Sequence, residues 1–411
     1  MAASLRYMGS KRSLAPRIAD LITRRHPEAT VVDAFAGTCA IGSALAARHR
    51  IIANDAHAFA EAVGRALLVT PGAAPRDAVA VRELRPHFDT NWAGLSKAIR
   101  TRLAGERSAL TVLRKQSGWR ELQTLTLAET RNASPRRCPG IATVRTYRSA
   151  PQRFPYALFT LCYASTYVGI EQAAEIDSLR YAITKADPAR QDYYLLALLQ
   201  AVSHAAATPG HFAQFLSPRN RKNTLYIGRM RARSIWTLFL KELRELSIPT
   251  CLDRKANAVS CQDATAFLRE LPSMLRGRTA VIYADPPYSR AQYSRYYHVL
   301  ETLVLYDYPD VTGKGRYRTA RFTTDFSRRS KVVDAMKAFI GVAAKTRSPL
   351  YLSYPRNGLL HAAGGDLVEL LRAEYPRVSI AETAEIAHST LGAAPGTAAV
   401  KVQEDVYYAR W

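Results

Sequence analysis

Asp285-Pro286-Pro287-Tyr288 is a short run whose groups could act together on a flat substrate that carries an amino group. The apolar residues 281–284 before it predict a buried strand. Two adjacent prolines cannot donate to a strand ladder or enter a helix interior, so the chain must leave the sheet in an extended form. An acid, a proline carbonyl and an aromatic ring are therefore expected at the carboxyl end of a strand, where open α/β sheets bind ligands. A proline-rich turn after a buried strand is the alternative.

A glycine turn and a second acid follow two further predicted strands. Residues 30–33 form an apolar run that breaks at Gly37, and residues 50–54 form a short strand that ends in Asp55. Such a turn lets a cofactor approach the backbone, and an acid about 20 residues later accepts ribose hydroxyls. The spacing predicts a nucleotide-containing cofactor but does not choose NAD over S-adenosylmethionine. The full dinucleotide glycine pattern is absent, which makes NAD the weaker choice.

A basic loop with a glycine, residues 6–12, precedes the first predicted helix. Backbone amides at a helix start, together with Lys11, can hold a carboxylate or a phosphate. An ordinary basic N-terminus would explain the same residues, but the position ahead of the glycine turn favours a role in the cofactor site.

These motifs, in this order, resemble those of the DNA adenine methylase family, whose members use S-adenosylmethionine. The resemblance rests on residues 7–12, 33–38, 54–55, 262–263 and 285–288. It implies that Lys11 and its loop hold the methionine carboxylate, that Asp55 binds the ribose and that Asp263 binds the adenine amino group. The implied cofactor residues are Tyr7, Lys11, Asp33, Phe35, Gly37, Asp55 and Asp263. The implied catalytic residues are Asp285, Pro286, Pro287 and Tyr288.

One position departs from the family pattern. Cys39 stands where the family usually has the second glycine of the cofactor loop. If the backbone there needs a positive φ, the added Cβ costs on the order of 1 kcal/mol or more. Cofactor affinity is therefore in question at this residue.

The predicted fold class is α/β, a doubly wound Rossmann-like seven-stranded methyltransferase sheet with a large, mainly helical inserted domain. At 411 residues the chain exceeds one ordinary core. The stretch between Asp55 and Asp263 is far longer than one strand-helix-strand step needs. We expect a first core part at 1–85, an inserted target-recognition region at 86–250 and a second core part at 251–411. Residues 86–148 are expected to be irregular, and residues 313–318 to form a mobile basic loop.

The charge balance predicts a polyanionic partner. Lysine and arginine number 58 against 34 acids, which gives a net charge of +24. A basic chain of this kind fits double-stranded DNA, whose phosphates side chains in clusters can neutralise. For a single arginine a solvated surface is the more frequent explanation. The predicted DNA-binding residues are Arg219, Arg221, Lys222, Arg231, Lys314, Arg316 and Arg318.

The five cysteines are scattered and odd in number, which predicts reduced thiols without a metal site. The chain start lacks the apolar stretch of a signal peptide, and the most apolar segment, 193–202, is too short to span a bilayer. A cytoplasmic protein without a membrane partner is expected.

The resemblance implies transfer of a methyl group from S-adenosylmethionine to N6 of a flipped-out adenine at a specific DNA site, with restriction or defence proteins as possible partners. Two alternatives stay open: a DNA-binding protein that keeps the fold with weak or no catalysis, and a methyltransferase acting on cytosine N4, RNA or protein glutamine. The recognition sequence and the oligomeric state do not follow from these residues.

Overall fold

A computed structural model describes residue 5 and residues 11–113, 118–130, 138, 140–388 and 400–411. Tyr7, a predicted cofactor residue, lies outside the described residues. Within the described part of the chain, no helix has the length and apolar character needed to cross a membrane.

The centre of the molecule is a seven-stranded sheet with strand order β3-β2-β1-β4-β7-β9-β8. The five strands from β3 to β7 run parallel, whereas β9 is antiparallel to both of its neighbours. The remaining two strands, β5 and β6, form a separate hairpin. The strands are β1 (Thr30–Asp33), β2 (Ile51–Asp55), β3 (Ala258–Cys261), β4 (Ala280–Ala284), β5 (Val311–Thr312), β6 (Tyr317–Arg318), β7 (Leu350–Pro355), β8 (Arg377–His388) and β9 (Val400–Arg410). The predicted fold class is confirmed.

Helices connect the strands and cover both faces of the sheet. The helices are α1 (Ala15–Arg25), α2 (Ala40–Leu45), α3 (Ala58–Gly64), α4 (Asp77–Ala98), α5 (Arg100–Leu113), α6 (Trp119–Thr130), α7 (Val144–Ser149), α8 (Leu158–Cys162), α9 (Ile170–Lys185), α10 (Pro188–Ala205), α11 (Arg221–Arg231), α12 (Ile235–Arg244), α13 (Ala264–Leu275), α14 (Ser294–Leu305), α15 (Val332–Lys345), α16 (Leu359–Ala362) and α17 (Leu367–Arg372). Shorter helical turns occur at Lys11–Ser13, Arg65–Val69 and Asp325–Ser327.

Side chains that alternate along the strands divide the core into two parts. Val31 packs into a cluster with α1, α2, α14 and the helices between β2 and β3. Its neighbour Val32 packs into a second cluster with α13, α15 and α17. This alternation is the period of two expected for a strand that is buried on both faces. The long segment between β2 and β3 therefore shares a core with one face of the sheet.

Two local predictions were wrong. Residues 86–148 contain helices rather than an irregular chain, and Pro86 lies inside α4. The helix accommodates this proline because packing against its neighbours outweighs the missing backbone hydrogen bond. Residues 313–318 are not an open loop either: β5 and β6 pair in an antiparallel hairpin, and Arg316 at its turn is buried.

Candidate active site

Most of the predicted cofactor and catalytic residues line one cleft at the carboxyl ends of β1, β2 and β4. The cleft contains about 940 Å³ of space outside protein atoms and is lined by Asp33, Gly37, Asp55, Asp285 and Tyr288. The strand order explains this meeting, because β1 pairs with β2 on one side and with β4 on the other. In a parallel sheet all three carboxyl ends then face the same edge.

The glycine turn after β1 is held by the acid at the end of β2. Gly37 has a φ of +51°, and its backbone N–H donates to Oδ2 of Asp55 over 2.9 Å. A residue with a side chain would be strained at this φ, so the turn favours glycine. The same carboxylate accepts from the backbone N–H of His57 and lies 2.9 Å from its Nδ1.

Cys39, which stands where the family usually has glycine, has a backbone conformation that strains a residue with a Cβ. Its φ is +54°, so the expected cost of the Cβ applies. The side chain is fully buried, and its Sγ packs beside Gly64 of α3. The cleft is lined by Thr38 and Ala40 on either side, while the thiol points into the core. The substitution therefore takes no space from the cleft.

Asp33 is a buried acid with unmet hydrogen-bonding capacity. Its side chain is 1% exposed, and Oδ1 has no partner within the described residues although the residue lines the cleft. Burial, followed by repulsion from Asp285, raises the pKa of Asp33 to about 8. A carboxyl group with this pKa is mostly protonated at neutral pH, and a cationic group of a ligand beside it would favour its ionised form.

Asp285 lies in a buried chain of charges. Lys11 Nζ is 2.9 Å from Asp285 Oδ1 and 2.8 Å from Glu404 Oε1. The side chains of Lys11 and Glu404 are 5% and 0% exposed, while Asp285 is 17% exposed towards the cleft. Lys11 was expected to hold a carboxylate of the cofactor. Its ammonium bridges two carboxylates of the protein, and the role in cofactor binding remains a prediction.

The balance of charges around Asp285 changes its acidity. Burial raises the pKa of Asp285 to about 7, Lys11 opposes that rise and Glu404 adds to it. Burial alone would lower the pKa of Lys11, but the two carboxylates outweigh this effect and raise it. Lys11 therefore stays protonated, whereas the carboxyl group of Asp285 changes protonation near neutral pH.

Aromatic side chains form the walls of the cleft. Tyr288 lies with its ring centroid 5.8 Å from Lys11 Nζ. Phe35 packs against Phe326 with ring centroids 5.6 Å apart. The segment after the Asp285-to-Tyr288 run is tied to the loop before Phe326, because Gln292 Nε2 donates to the Thr324 carbonyl over 2.9 Å.

Pro286, which the resemblance implies is a catalytic residue, is buried between Asp285 and Pro287. That role remains a prediction.

Asp263 lines the cleft but also has a structural role. Its Oδ1 accepts hydrogen bonds from the backbone N–H groups of Thr265 and Ala266, which caps the N-terminus of α13. The side chain is exposed at the end of β3. Its assignment to the cofactor remains a prediction.

The predicted DNA-binding residues separate into two groups. Arg219, Arg221, Lys222 and Lys314 are exposed and keep that prediction. Arg231, Arg316 and Arg318 are buried, at 4%, 2% and 5% exposure, so the prediction needs correction for them.

Each buried guanidinium is held by protein groups. Arg231 pairs with Glu106 at 3.3 Å, Arg318 pairs with Asp307 at 2.6 Å, and Arg316 donates to the carbonyl of Cys162. Phosphates cannot reach these groups. A cluster of basic residues in the sequence does not reveal which of its members will be buried against acceptors of the protein itself.

Sequence reasoning missed two residues of the site. His57 follows Asp55 closely and lines the cleft. Glu404 lies 393 residues from its partner Lys11. The signal for Glu404 was present as two adjacent acids, Glu404 and Asp405, directly before the apolar residues 406–409 of the same strand, where a charged residue is rarely buried without a partner.

Comparison with known proteins agrees with this geometry. A model of the D12 class N6 adenine-specific DNA methyltransferase family matches residues 7–89 and 151–354, more than half of the chain. The unmatched segments include part of the helical region between β2 and β3 and the last two strands.

Curated relatives are modification enzymes. The chain is 24% identical to the modification methylase LlaI of Lactococcus lactis subsp. lactis over 335 residues, which are 80% of this chain and 42% of that protein. It is 22% identical to the modification methylase StsI of Streptococcus sanguinis, over 90% of this chain and 46% of that protein. It is 25% identical to the type II methyltransferase M.FokI of Planomicrobium okeanokoites, over 47% of this chain and 27% of that protein.

The chain thus spans less than half the length of these relatives. The family match nevertheless covers the glycine turn, Asp55 and the Asp285-to-Tyr288 run. The chain belongs to the D12 class N6 adenine-specific DNA methyltransferase family.

Proposed function

We propose that this protein transfers the methyl group of S-adenosylmethionine to the exocyclic N6 of adenine in double-stranded DNA. The observation that carries the proposal is the shared cleft of the glycine turn, Asp33, Asp55 and the Asp285-to-Tyr288 run. A cofactor site and an acceptor for an amino group lie side by side there, as a direct transfer between two bound molecules requires.

The residues present fit S-adenosylmethionine. Asp33 has a free buried oxygen that would accept from the ammonium of the methionine part. Gly37 gives close access to the backbone, and Asp55 stands at the strand end that meets ribose hydroxyls in nucleotide-binding sheets. When bound, the sulfonium group supplies an activated methyl group, so the protein needs no metal and no covalent intermediate.

The protein's part at the amine is to orient it and to stabilise charge. The amino nitrogen of adenine is a poor nucleophile because its lone pair is delocalised into the ring. Asp285 and the carbonyl of Pro286 would accept hydrogen bonds from its two N–H groups, which turns the lone pair towards the methyl group. Positive charge that develops on the nitrogen is stabilised by the carboxylate of Asp285, an effect worth about 3 kcal/mol or more.

In duplex DNA the adenine must leave the helix to reach the cleft, at a cost of a few kcal/mol. Stacking on Tyr288 would offset part of that cost. The exposed cations Arg219, Arg221, Lys222 and Lys314 would hold the DNA backbone, and the helices between β2 and β3 would read the sequence. The names of the relatives, modification methylases and a type II methyltransferase, support a role in restriction-modification, with cognate restriction or defence proteins as partners.

The test is incorporation of tritiated methyl groups into duplex DNA, followed by identification of the modified nucleoside. We expect N6-methyladenine from the wild-type chain. Asp285→Ala should lower kcat by more than about 100-fold, because a group that stabilises transition-state charge is removed. DNA affinity should hardly change.

A matched control is Asp253→Ala, which removes an exposed acid from a loop outside the cleft. It should keep full activity. Methyl transfer that survives in Asp285→Ala, or a product other than N6-methyladenine, would contradict the proposal.

A further inference from the structure

Glu404 has the environment of a functional group although it does not line the cleft. It lies in β9, outside the part of the chain that the family model matches. Its side chain is 0% exposed, and it contacts Lys11 through both carboxylate oxygens, at 2.8 and 3.1 Å. The hydroxyl of Ser353 on β7 donates to the same carboxylate. A fully buried acid is costly unless paired, and this one shares its only cationic partner within the described residues with Asp285.

We infer that Glu404 is a positioning residue that holds Lys11 at the back of the cleft and, by sharing its charge, keeps Asp285 a strong hydrogen-bond acceptor. Lys11 alone beside Asp285 would neutralise the carboxylate that must accept from the substrate amine. With Glu404 on its other side, the ammonium divides its attraction between two acids. This inference rests on the proposed function, because it concerns the acceptor strength of the residue that meets the amine.

The charges on each side of Asp285 support this role. The titratable groups that act on it are Lys11 from the first helical turn, Glu404 from β9, Asp33 from β1, Tyr283 from β4, and Tyr288 and Tyr293 after β4. Lys11 alone among them is cationic, and it lowers the pKa of Asp285 while Glu404 raises it. Removing one neighbour or the other should therefore shift the titration of Asp285 in opposite directions.

The experiment is the pH dependence of kcat for three variants with duplex DNA and saturating S-adenosylmethionine. Asp285 must be ionised to accept, so kcat should rise with pH through its pKa. This rise is the acidic limb of the pH profile. In Glu404→Gln, which preserves the shape of the side chain, we expect the acidic limb to move to lower pH by about one unit or more. The plateau should fall about tenfold, because a less basic carboxylate stabilises the amine less.

Lys11→Met supplies the opposite shift. Without the ammonium, the limb should move to higher pH. Ser353→Ala is the matched control: it removes a hydrogen bond to Glu404 without changing any charge, so its limb should stay near that of the wild type. Thermal unfolding of each variant shows whether it is folded at the assay temperature.

A merely structural Glu404 would alter melting temperature or the plateau and leave the limb in place, and that result in folded Glu404→Gln would overturn the inference. If the wild-type chain transferred no methyl group to any duplex, the proposed function would fail instead. In that case the ¹³C carboxyl shift of Asp285, followed with pH in labelled wild-type and Glu404→Gln protein, would decide separately whether Glu404 raises the pKa of Asp285.

Discussion

Two buried ion clusters in this chain differ in charge balance. Between α5 and α11, Arg231 pairs with Glu106, and both side chains are 1% exposed. The two charges there balance one to one. Glu106 also accepts from the backbone of Ile170 and Glu171, and Arg231 donates to Thr126 and to the Ser165 carbonyl, although its Nε has no partner among the described residues.

At the cleft, one lysine serves two acids, and a third carboxyl group, Asp33, has an oxygen without a partner among the described residues. Surplus negative charge in a buried place raises pKa values and costs stability. The balanced cluster is what a scaffold needs, whereas the unbalanced one has capacity left for a ligand. The comparison teaches that unmet charge, rather than burial or charge as such, distinguishes the site.

The largest expected effect comes from a substitution that breaks the balanced pair of Arg231 and Glu106. Arg231→Ala should lower the free energy of unfolding by about 3–5 kcal/mol, because Glu106 is left buried without its cation. Urea unfolding would measure this decrease. The folded fraction should keep the wild-type kcat, since Arg231 does not line the cleft.

The control for that prediction is the double variant Glu106→Leu with Arg231→Met, which should recover most of the stability because no charge is left alone. If Arg231→Ala remained stable but bound DNA more weakly, the DNA-binding prediction for this residue would be right after all.

The next effect concerns Asp33 in the unbalanced cluster. Its folded pKa of about 8 lies above the unfolded value near 4, so the folded state binds the proton more tightly. The stability that this provides is full below about pH 4 and is lost as pH rises through about 8. The decrease approaches about 1.4 kcal/mol per pH unit within that range.

Asp33→Asn should remove that dependence, so that the variant becomes more stable than the wild type at pH 9 and binds S-adenosylmethionine more weakly. Chemical unfolding at pH 6 and pH 9 and calorimetric titration would measure the two effects. Asp253→Asn, at an exposed acid, should leave both unchanged. Equal stability curves for wild type and Asp33→Asn would show that Asp33 is ionised throughout.

A smaller effect concerns the exposed cations that are predicted to bind DNA. Replacing Arg219, Arg221 and Lys222 together by alanine should reduce the slope of log affinity against log salt by about 0.9 for each phosphate that these side chains neutralise in the wild type. Salt titration of duplex binding measures this slope. A matched triple of exposed cations on helices of the other sheet face, Arg269, Lys337 and Arg372, should change it little. Equal slopes for the two triples would place the DNA elsewhere.

The smallest effect belongs to Cys39. Cys39→Gly removes the Cβ from a positive φ, a gain of about 1 kcal/mol, but also removes a buried thiol beside Gly64. The two effects oppose each other, so melting temperature should move little. Cofactor affinity by calorimetry should also stay the same. A large gain in affinity would mean that this residue limits cofactor binding and would support the weakly catalytic alternative.

Much of the fold could be predicted because its signals are local. The apolar runs before Asp33, Asp55 and Asp285 marked parallel strands, and the acids at their ends shared an edge once those strands were adjacent. The errors arose where tertiary packing overrides local preference. Pro86 sits inside a helix, and the basic run around Arg316 folds into a hairpin in which Arg316 and Arg318 are buried and donate to acceptors of the protein.

The sequence by itself determined the order of the motifs, the α/β class and the acids that meet in the cleft, since strand periodicity and turn residues act over a few positions. Only the tertiary structure decided which charges remain unpaired. Lys11 and Glu404 are 393 residues apart in the chain, and Arg231 and Glu106 are 125 residues apart. Whether a charged side chain is neutralised, and so whether it can act, depends on neighbours that folding alone brings within about 3 Å.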